Sequence, residues 1–232
     1  MKIKVLGNSC TWFMRPNTNF LVDEVMLIDT PQSFTKFFHI DYEKLKYILI
    51  THFHSDHFTD LHIICDYLFK RKNKEKVKLI APKTALDRLY KLGKLLELKR
   101  SKKDLLKIFD VVEMKDGKSV VIDNYTVTAF KVKHNVKYPF AYTVEKDGKV
   151  AGFSGDTAYC ENLIKLIEKS DIVFIDTATE KVNDTHLSTG EVLKLMTKYK
   201  NKKFYSIHTT DNIQQNFQDK LNLPNINSEI LL

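Results

Sequence analysis

Within six residues, His52-Phe53-His54-Ser55-Asp56-His57, the chain sets three imidazoles and a carboxylate. These are the ligand types that a borderline-soft cation such as Zn²⁺ takes. They follow directly on Tyr47 to Thr51, an apolar, β-branched run that reads as a buried strand. Alternation along an extended backbone sends the imidazoles of His52 and His54 to one side. Asp56 and His57 then open the next helix, where they can face a second ion. Packing does not account for such crowding, so the pattern points to metal chemistry. Cysteine offers no substitute. Cys10, Cys65 and Cys160 are an odd number without a C-x-x-C pair, which excludes a disulfide framework and a cysteine-based zinc knuckle and suits reduced thiols in the cytoplasm.

The elements that must carry these groups are read from periodicity. Strands are expected at Lys2 to Leu6, Asn19 to Val22, Val25 to Asp29 and Tyr47 to Thr51, then at Val77 to Ala81, Asp110 to Met114, Ser119 to Ile122, Tyr125 to Lys133, Phe140 to Glu145 and Val150 to Ser154. Amphipathic helices are expected where Phe58, Leu61, Cys65 and Leu68, and then Leu86, Leu89, Leu92 and Leu96, recur at helical spacing. Asp116-Gly117 and Asp147-Gly148 mark hairpin turns. The last third alternates: a helix at Cys160 to Lys169, a strand at Ile172 to Asp176, a helix opening at the Ser188/Glu191 capping box, and a strand at Phe204 to Ile207. With 232 residues, no long linker and no repeat, this order predicts one α/β domain over 1–232 with layered sheets. The N-terminal MKIKVLGNSC has too short an apolar stretch for an export signal, and no run reaches the roughly eighteen apolar residues of a membrane span. The expectation is therefore a cytoplasmic protein without a membrane partner.

The H-x-H-x-D-H pattern resembles the signature of the metallo-β-lactamase fold superfamily, and the likeness extends over nearly the whole chain. It implies a four-layer αββα sandwich and further ligands arriving after later strands. His134 follows Tyr125 to Lys133, Asp156 follows Val150 to Ser154, and His208 follows Phe204 to Ile207. Carried over from the superfamily, the roles place His52, His54 and His134 on one metal, Asp56, His57 and His208 on the other, and Asp156 between them. Asp29 falls where the superfamily keeps an acid that orients a ligating histidine. Two divalent cations about 3.5 Å apart would activate a shared water and neutralise charge as a bond breaks. Zn²⁺ is the expected ion, with Mn²⁺ or Fe accepted by the same nitrogen and oxygen ligands.

His186, in Thr185-His186-Leu187-Ser188-Thr189, separates branches of the superfamily. It is similar to the histidine of the ribonuclease Z branch that approaches the scissile phosphate and assists the departing oxygen. Leu6-Gly7, Arg15-Pro16-Asn17-Thr18-Asn19 and Pro139-Phe140-Ala141-Tyr142 also look like that branch. Asp56 and His186 are the candidate catalytic residues; His39 and His62 have no role in this pattern. Ribonuclease Z carries a long arm between the positions matching His134 and Asp156, whereas twenty-one residues separate them here. The resemblance thus implies an arm-less phosphodiesterase acting on a nucleotide, a cyclic phosphate or nucleic acid. The phosphonate-breakdown member of that type carries an extra cysteine-containing zinc site, which three isolated cysteines do not build. Homodimers are usual in the branch.

Alternatives remain. A thioester hydrolase of the glyoxalase II type shares all seven ligands but carries a C-terminal helical extension, and twenty-four residues follow His208. A transfer-RNA 3′-processing endonuclease would lack its arm. A secreted β-lactamase would want an export signal and often a cysteine ligand, and a flavodiiron relative would want a flavin domain. A nucleic-acid-binding module would rest on charge alone.

That charge is local. Lys and Arg number 37 against 29 Asp and Glu, a balance of +8, yet Asp66 to Ile108 alone carries +10 and the rest −2. Only four of the basic residues are arginine. A lysine-rich composition displayed on solvated helix faces explains this segment; so does a surface that holds a polyanion in place of the missing arm. Salt dependence separates the two.

Overall fold

Central strands that are apolar at every position must bury both faces, and side chains that alternate must then enter two different cores. Tyr47-Ile48-Leu49-Ile50 illustrates the rule: Tyr47 and Leu49 join one cluster, Ile48 and Ile50 another. Phe174 and Val173 divide in the same way in the second half of the chain.

The computed structural model describes residues 1–10, 15–32, 40–72 and 74–232. His39 lies outside them. In chain order the strands are β1 (Lys2–Gly7), β2 (Asn19–Val22), β3 (Met26–Ile28), β4 (Tyr47–Leu49), β5 (Val77–Pro82), β6 (Phe109–Met114), β7 (Ser119–Ile122), β8 (Tyr125–Lys131), β9 (Phe140–Lys146), β10 (Lys149–Phe153), β11 (Ile172–Asp176), β12 (Lys203–Ile207) and β13 (Glu229–Leu231). They form a seven-stranded sheet, β13-β1-β2-β3-β4-β5-β6, and a six-stranded sheet, β12-β11-β10-β9-β8-β7. The described helices are α1 (Ser55–Phe58), α2 (Leu61–Lys70), α3 (Ala85–Leu95), α4 (Lys102–Ile108), α5 (Glu161–Lys169), α6 (Thr189–Lys198) and α7 (Asp211–Phe217).

Three apolar clusters separate four layers. The central one joins inward faces of both sheets, with Phe20, Phe153 and Phe174 in mutual ring contact at 4.6–5.0 Å. A second packs α2, α3 and α4 on the outer face of the larger sheet through Ile64, Leu68, Leu89 and Leu105. The third packs α5, α6 and α7 on the smaller sheet through Leu163, Leu166, Val192 and Ile213. The result is the αββα sandwich that the resemblance implies. No described helix is long and apolar enough to cross a membrane.

Strand direction prepares the site. β3, β4, β5 and β6 run parallel, as do β10, β11 and β12; helices cross over from β4 to β5 to β6 and from β10 to β11 to β12, and the carboxyl ends gather at one edge, where open sheets of this kind bind ligands. The β9–β10 connection is a two-residue turn with Asp147 at φ 52° and Gly148 at φ 73°, the double positive φ of a type I′ hairpin.

Several elements differ from the sequence reading. The helix expected from Phe58 onward is split, because α1 ends after one turn and α2 restarts at Leu61. Leu96 lies beyond α3 and is 45% exposed instead of packed. α4, α7 and β13 were not anticipated. α4 begins at a Ser101/Asp104 capping box, legible in principle, but is only seven residues long. β13 is a three-residue edge strand whose partner β1 lies at the other end of the chain, with Lys2 opposite Leu231.

Gly7 sits where the β1–β2 register shifts, and a Cβ there would run into the backbone carbonyl of Asn17. Backbone cannot yield as a flexible side chain can. Gly7→Ala is expected to cost about 3 kcal/mol, visible as a lowered urea midpoint with an unchanged m-value; an unchanged midpoint would contradict the close approach.

Candidate metal centre

Each of the seven expected metal ligands lies beyond a strand end at the shared edge. His52, His54, Asp56 and His57 follow β4, His134 follows β8, Asp156 follows β10 and His208 follows β12. Gly155 takes φ 56°, and a Cβ there would press on the Phe140 carbonyl and Thr51, so glycine allows Asp156 to turn inward. His208 itself has φ 54°. Hydrogen bonds from its N–H to Thr18 Oγ1 (3.0 Å) and from Thr209 N–H to the Asn8 carbonyl (3.0 Å) hold that left-handed turn.

All seven side chains converge. One group of donors is His52, His54, His134 and Asp156, and a second is Asp56, His57, His208 and Asp156. In each group the donor atoms lie within 4.8 Å of one another, and Asp156 belongs to both. Asp156 Oδ2 is 3.6 Å from His52 Nε2, 3.7 Å from His134 Nε2 and 3.4 Å from His208 Nε2, while Oδ1 is 3.1 Å from His57 Nε2. His54 faces the first group with Nδ1, 3.2 Å from His134 Nε2. His52 Nε2, His57 Nε2 and Asp156 Oδ1 are buried and make no hydrogen bond. Buried polar atoms without partners are costly unless something else satisfies them, and a divalent cation coordinated by nitrogen and carboxylate oxygen does so. The donor set therefore fits the metal that the fold implies.

Electrostatics divides the imidazoles. Burial drives His52 well below its ordinary pKa, aided by His57, and burial also lowers His54 and His134. Neutral imidazole is the form that binds a cation. Burial pulls His57 and His208 the same way, but carboxylates outweigh it and hold both well above the ordinary value. Those are Asp156, Asp56 and Asp29 at His57, and Asp156, Asp176 and Asp56 at His208. Burial raises Asp156, yet His208, His57 and His52 together keep it well below the usual carboxylate range.

The groups behind the donors are equally specific. Asp29 Oδ2 accepts from His57 Nδ1 at 2.7 Å, and the carboxylate is braced by Thr51 N–H and Thr51 Oγ1 at 2.8 Å each. This arrangement leaves His57 Nε2 for the centre. The Thr185 carbonyl does the same for His134 Nδ1 at 2.8 Å. Removing such an orienting partner weakens metal binding by about 10–100-fold. Asp29→Ala is expected to lower affinity by that factor in chelator competition with circular dichroism unchanged; full affinity would deny Asp29 the orienting role.

Asp176 escaped the sequence reading. Fully buried at the end of β11, it accepts from His186 Nδ1 at 2.9 Å and from Thr157 N–H at 2.9 Å, and its Oδ1 is 3.6 Å from His208 Nδ1. A signal was present: Ile175-Asp176-Thr177 repeats the Ile28-Asp29-Thr30 pattern, each ending a buried strand. The third donor combination, Asp156, Asp176, His186 and His208, shares two members with the second group and is no separate centre.

A cleft of about 540 Å³ opens over the cluster, with His54, Asp56, His134, Asp156, His186 and His208 in its wall. His186 lies beside the donors, its ring 5.0 Å from that of His134 and 5.2 Å from that of His208. Burial lowers its pKa, but Asp176 more than compensates and holds it above the ordinary value. His62 is outside the cleft, bonded to the Thr59 carbonyl at 2.5 Å. The cysteines are dispersed: Cys10 at the cleft, Cys65 in the outer core with its thiol pushed up to about 12 by burial, and Cys160 at the start of α5.

Comparison with known proteins agrees with this geometry. A UPF0173 protein of Pyrococcus abyssi (strain GE5 / Orsay) is 27% identical over 176 residues, 75% of this chain and 69% of that protein. The short form of human tRNase Z superposes with a TM-score of 0.76 at 18% identity, covering 100% of this chain and 99% of that one. A diphosphatase from the PhnP family gives 0.77 at 16% identity, covering 100% and 97%. Residues 18–209, which hold every donor of both groups, match the family described as the beta-lactamase superfamily domain, and the chain belongs to that superfamily.

Proposed function

We propose that this protein is a metal-dependent hydrolase that cleaves phosphodiesters, with His52, His54 and His134 holding one divalent ion, Asp56, His57 and His208 a second, and Asp156 both. Zn²⁺ suits the mixture of imidazole and carboxylate. The observation that carries the phosphodiester reading is His186: its Nδ1 is committed to buried Asp176, and its ring stands in the cleft beside the donor cluster. Nε2 is then the nitrogen that meets a substrate. The similarity to tRNase Z and to a PhnP-family diphosphatase supports the same class. The tight β9–β10 hairpin, which has no room for an arm, supports an arm-less member.

When bound, the two cations supply Lewis acidity to the attacking water and to the phosphoryl oxygens. The Asp56 carboxylate, at the cleft wall, accepts a proton from the water as its oxygen bonds to phosphorus. Asp176 fixes the tautomer and orientation of His186. His186 Nε2 delivers a proton to the oxygen that departs as its bond to phosphorus breaks.

The test is a hydrolysis panel on protein stripped with chelator and then reloaded with Zn²⁺ or Mn²⁺. Bis-p-nitrophenyl phosphate, a cyclic nucleotide, a precursor transfer RNA and a glutathione thioester cover the competing classes. Metal-dependent release of p-nitrophenol is the expected result. Turnover of the thioester with none of any phosphodiester would sink the proposal.

A further inference from the structure

The tertiary structure distributes the positive charge in a way that bears on substrate class. No described lysine or arginine lines the cleft. Residues 11–14 and 33–39 contribute one lysine by sequence, Lys36. Near the cleft residues in sequence, Lys133 is paired with Asp184 at 2.5 Å and Lys137 stands over the Tyr138 ring at 5.3 Å, while Lys181 is exposed; Arg15 is paired with Asp211, next to the cleft residue Thr210, at 2.5 Å.

The +10 segment faces elsewhere. β5 runs parallel to β4, so its start lies at the edge opposite His52–His57, and Lys70, Arg71, Lys72, Lys74 and Lys76 precede it there. α3 leaves the cleft edge after β5 and carries Lys91 and Lys94 away, while α4 delivers Lys107 to the start of β6, again at the far edge. Lys102 and Arg100 are paired with Asp87 and Asp66. Lys83 and Arg88 stand nearer the cleft edge, with Lys102 beside them on Asp87, and Arg88 is engaged over the Phe53 ring at 4.7 Å.

Resting on the phosphodiesterase reading, we infer that the substrate is a small phosphodiester with one anionic centre and an uncharged, hydrogen-bonding remainder, not a nucleic-acid strand. A strand brings flanking phosphates that need their own cations, and the described residues of the cleft wall supply none. It offers neutral polar groups instead. Thr179 and Thr210 already hydrogen-bond to backbone. Ser55 Oγ and the Asn135 amide are exposed and make no hydrogen bond to described residues, so they are the groups that meet the remainder.

The experiment uses the Zn²⁺-loaded protein with bis-p-nitrophenyl phosphate, thymidine 5′-(p-nitrophenyl phosphate) and a single-stranded oligonucleotide of about twenty residues, each at low and high NaCl. The nucleoside ester is expected to exceed the oligonucleotide in kcat/KM by about 100-fold or more, with less than about a twofold response to salt. K91A/K94A/K107A, which removes lysines placed away from the cleft, is expected to change neither substrate. Asn135→Ala is expected to raise KM for the nucleoside ester about fivefold at constant kcat, the effect of one neutral hydrogen bond; an unchanged KM removes Asn135 from recognition and overturns that part of the inference. Preference for the oligonucleotide, with a steep fall in salt or in the triple variant, overturns the small-substrate inference while leaving the phosphodiesterase reading intact. Failure to hydrolyse any of the diesters overturns both.

Discussion

Asp156→Ala is expected to lose both metal ions and to reduce phosphodiester turnover by at least about 10³-fold. Among the described residues no other side chain belongs to both donor groups, and its two oxygens lie 3.1–3.7 Å from nitrogens of His52, His57, His134 and His208. Without it, two dications would face each other across a buried gap with no anion between them. Atomic emission after dialysis measures the outcome directly, and retention of two equivalents would refute the bridging assignment. His54→Ala provides the contrast. His54 belongs to one group only, so the expected loss is one equivalent, and unchanged metal content would remove His54 from the ligand set.

His186→Ala is expected to keep both ions and lose about 10²–10⁴-fold in kcat on an alkyl-leaving-group diester. Its Nδ1 is spent on Asp176, and it belongs to neither of the two groups assigned to metal, so deletion should leave coordination intact. A nitrophenolate departs without needing a proton, so bis-p-nitrophenyl phosphate should suffer much less. That leaving-group dependence distinguishes an acid from a merely structural residue. Loss of metal would make His186 a ligand, and full activity on the alkyl substrate would make it a bystander.

Much of the architecture was readable because the informative signals are local. Alternation in Tyr47-Ile48-Leu49-Ile50 places a doubly buried strand, and the Ser188/Glu191 capping box, formed as expected, starts α6. β13 was unreadable because three residues carry no usable period and the strand exists only through pairing with β1. The break between α1 and α2 escaped for a related reason. Thr30 binds this corner through hydrogen bonds to the Phe58 and Asp60 backbone, and Thr30 is remote in sequence.

The candidate site divides along the same line. The sequence by itself determined which residue types were available and that each ends a buried strand, because hydrophobic period and residue chemistry are properties of a short window. It also determined that the positive charge belongs to residues 66–108. Only the tertiary structure decided that Asp156 is common to two donor groups, that Asp176 stands behind His186 and His208, and that most of the basic segment lies away from the cleft. Those outcomes depend on parallel strand direction and on the packing of one sheet against another. Residues more than a hundred positions apart meet only when both are in place.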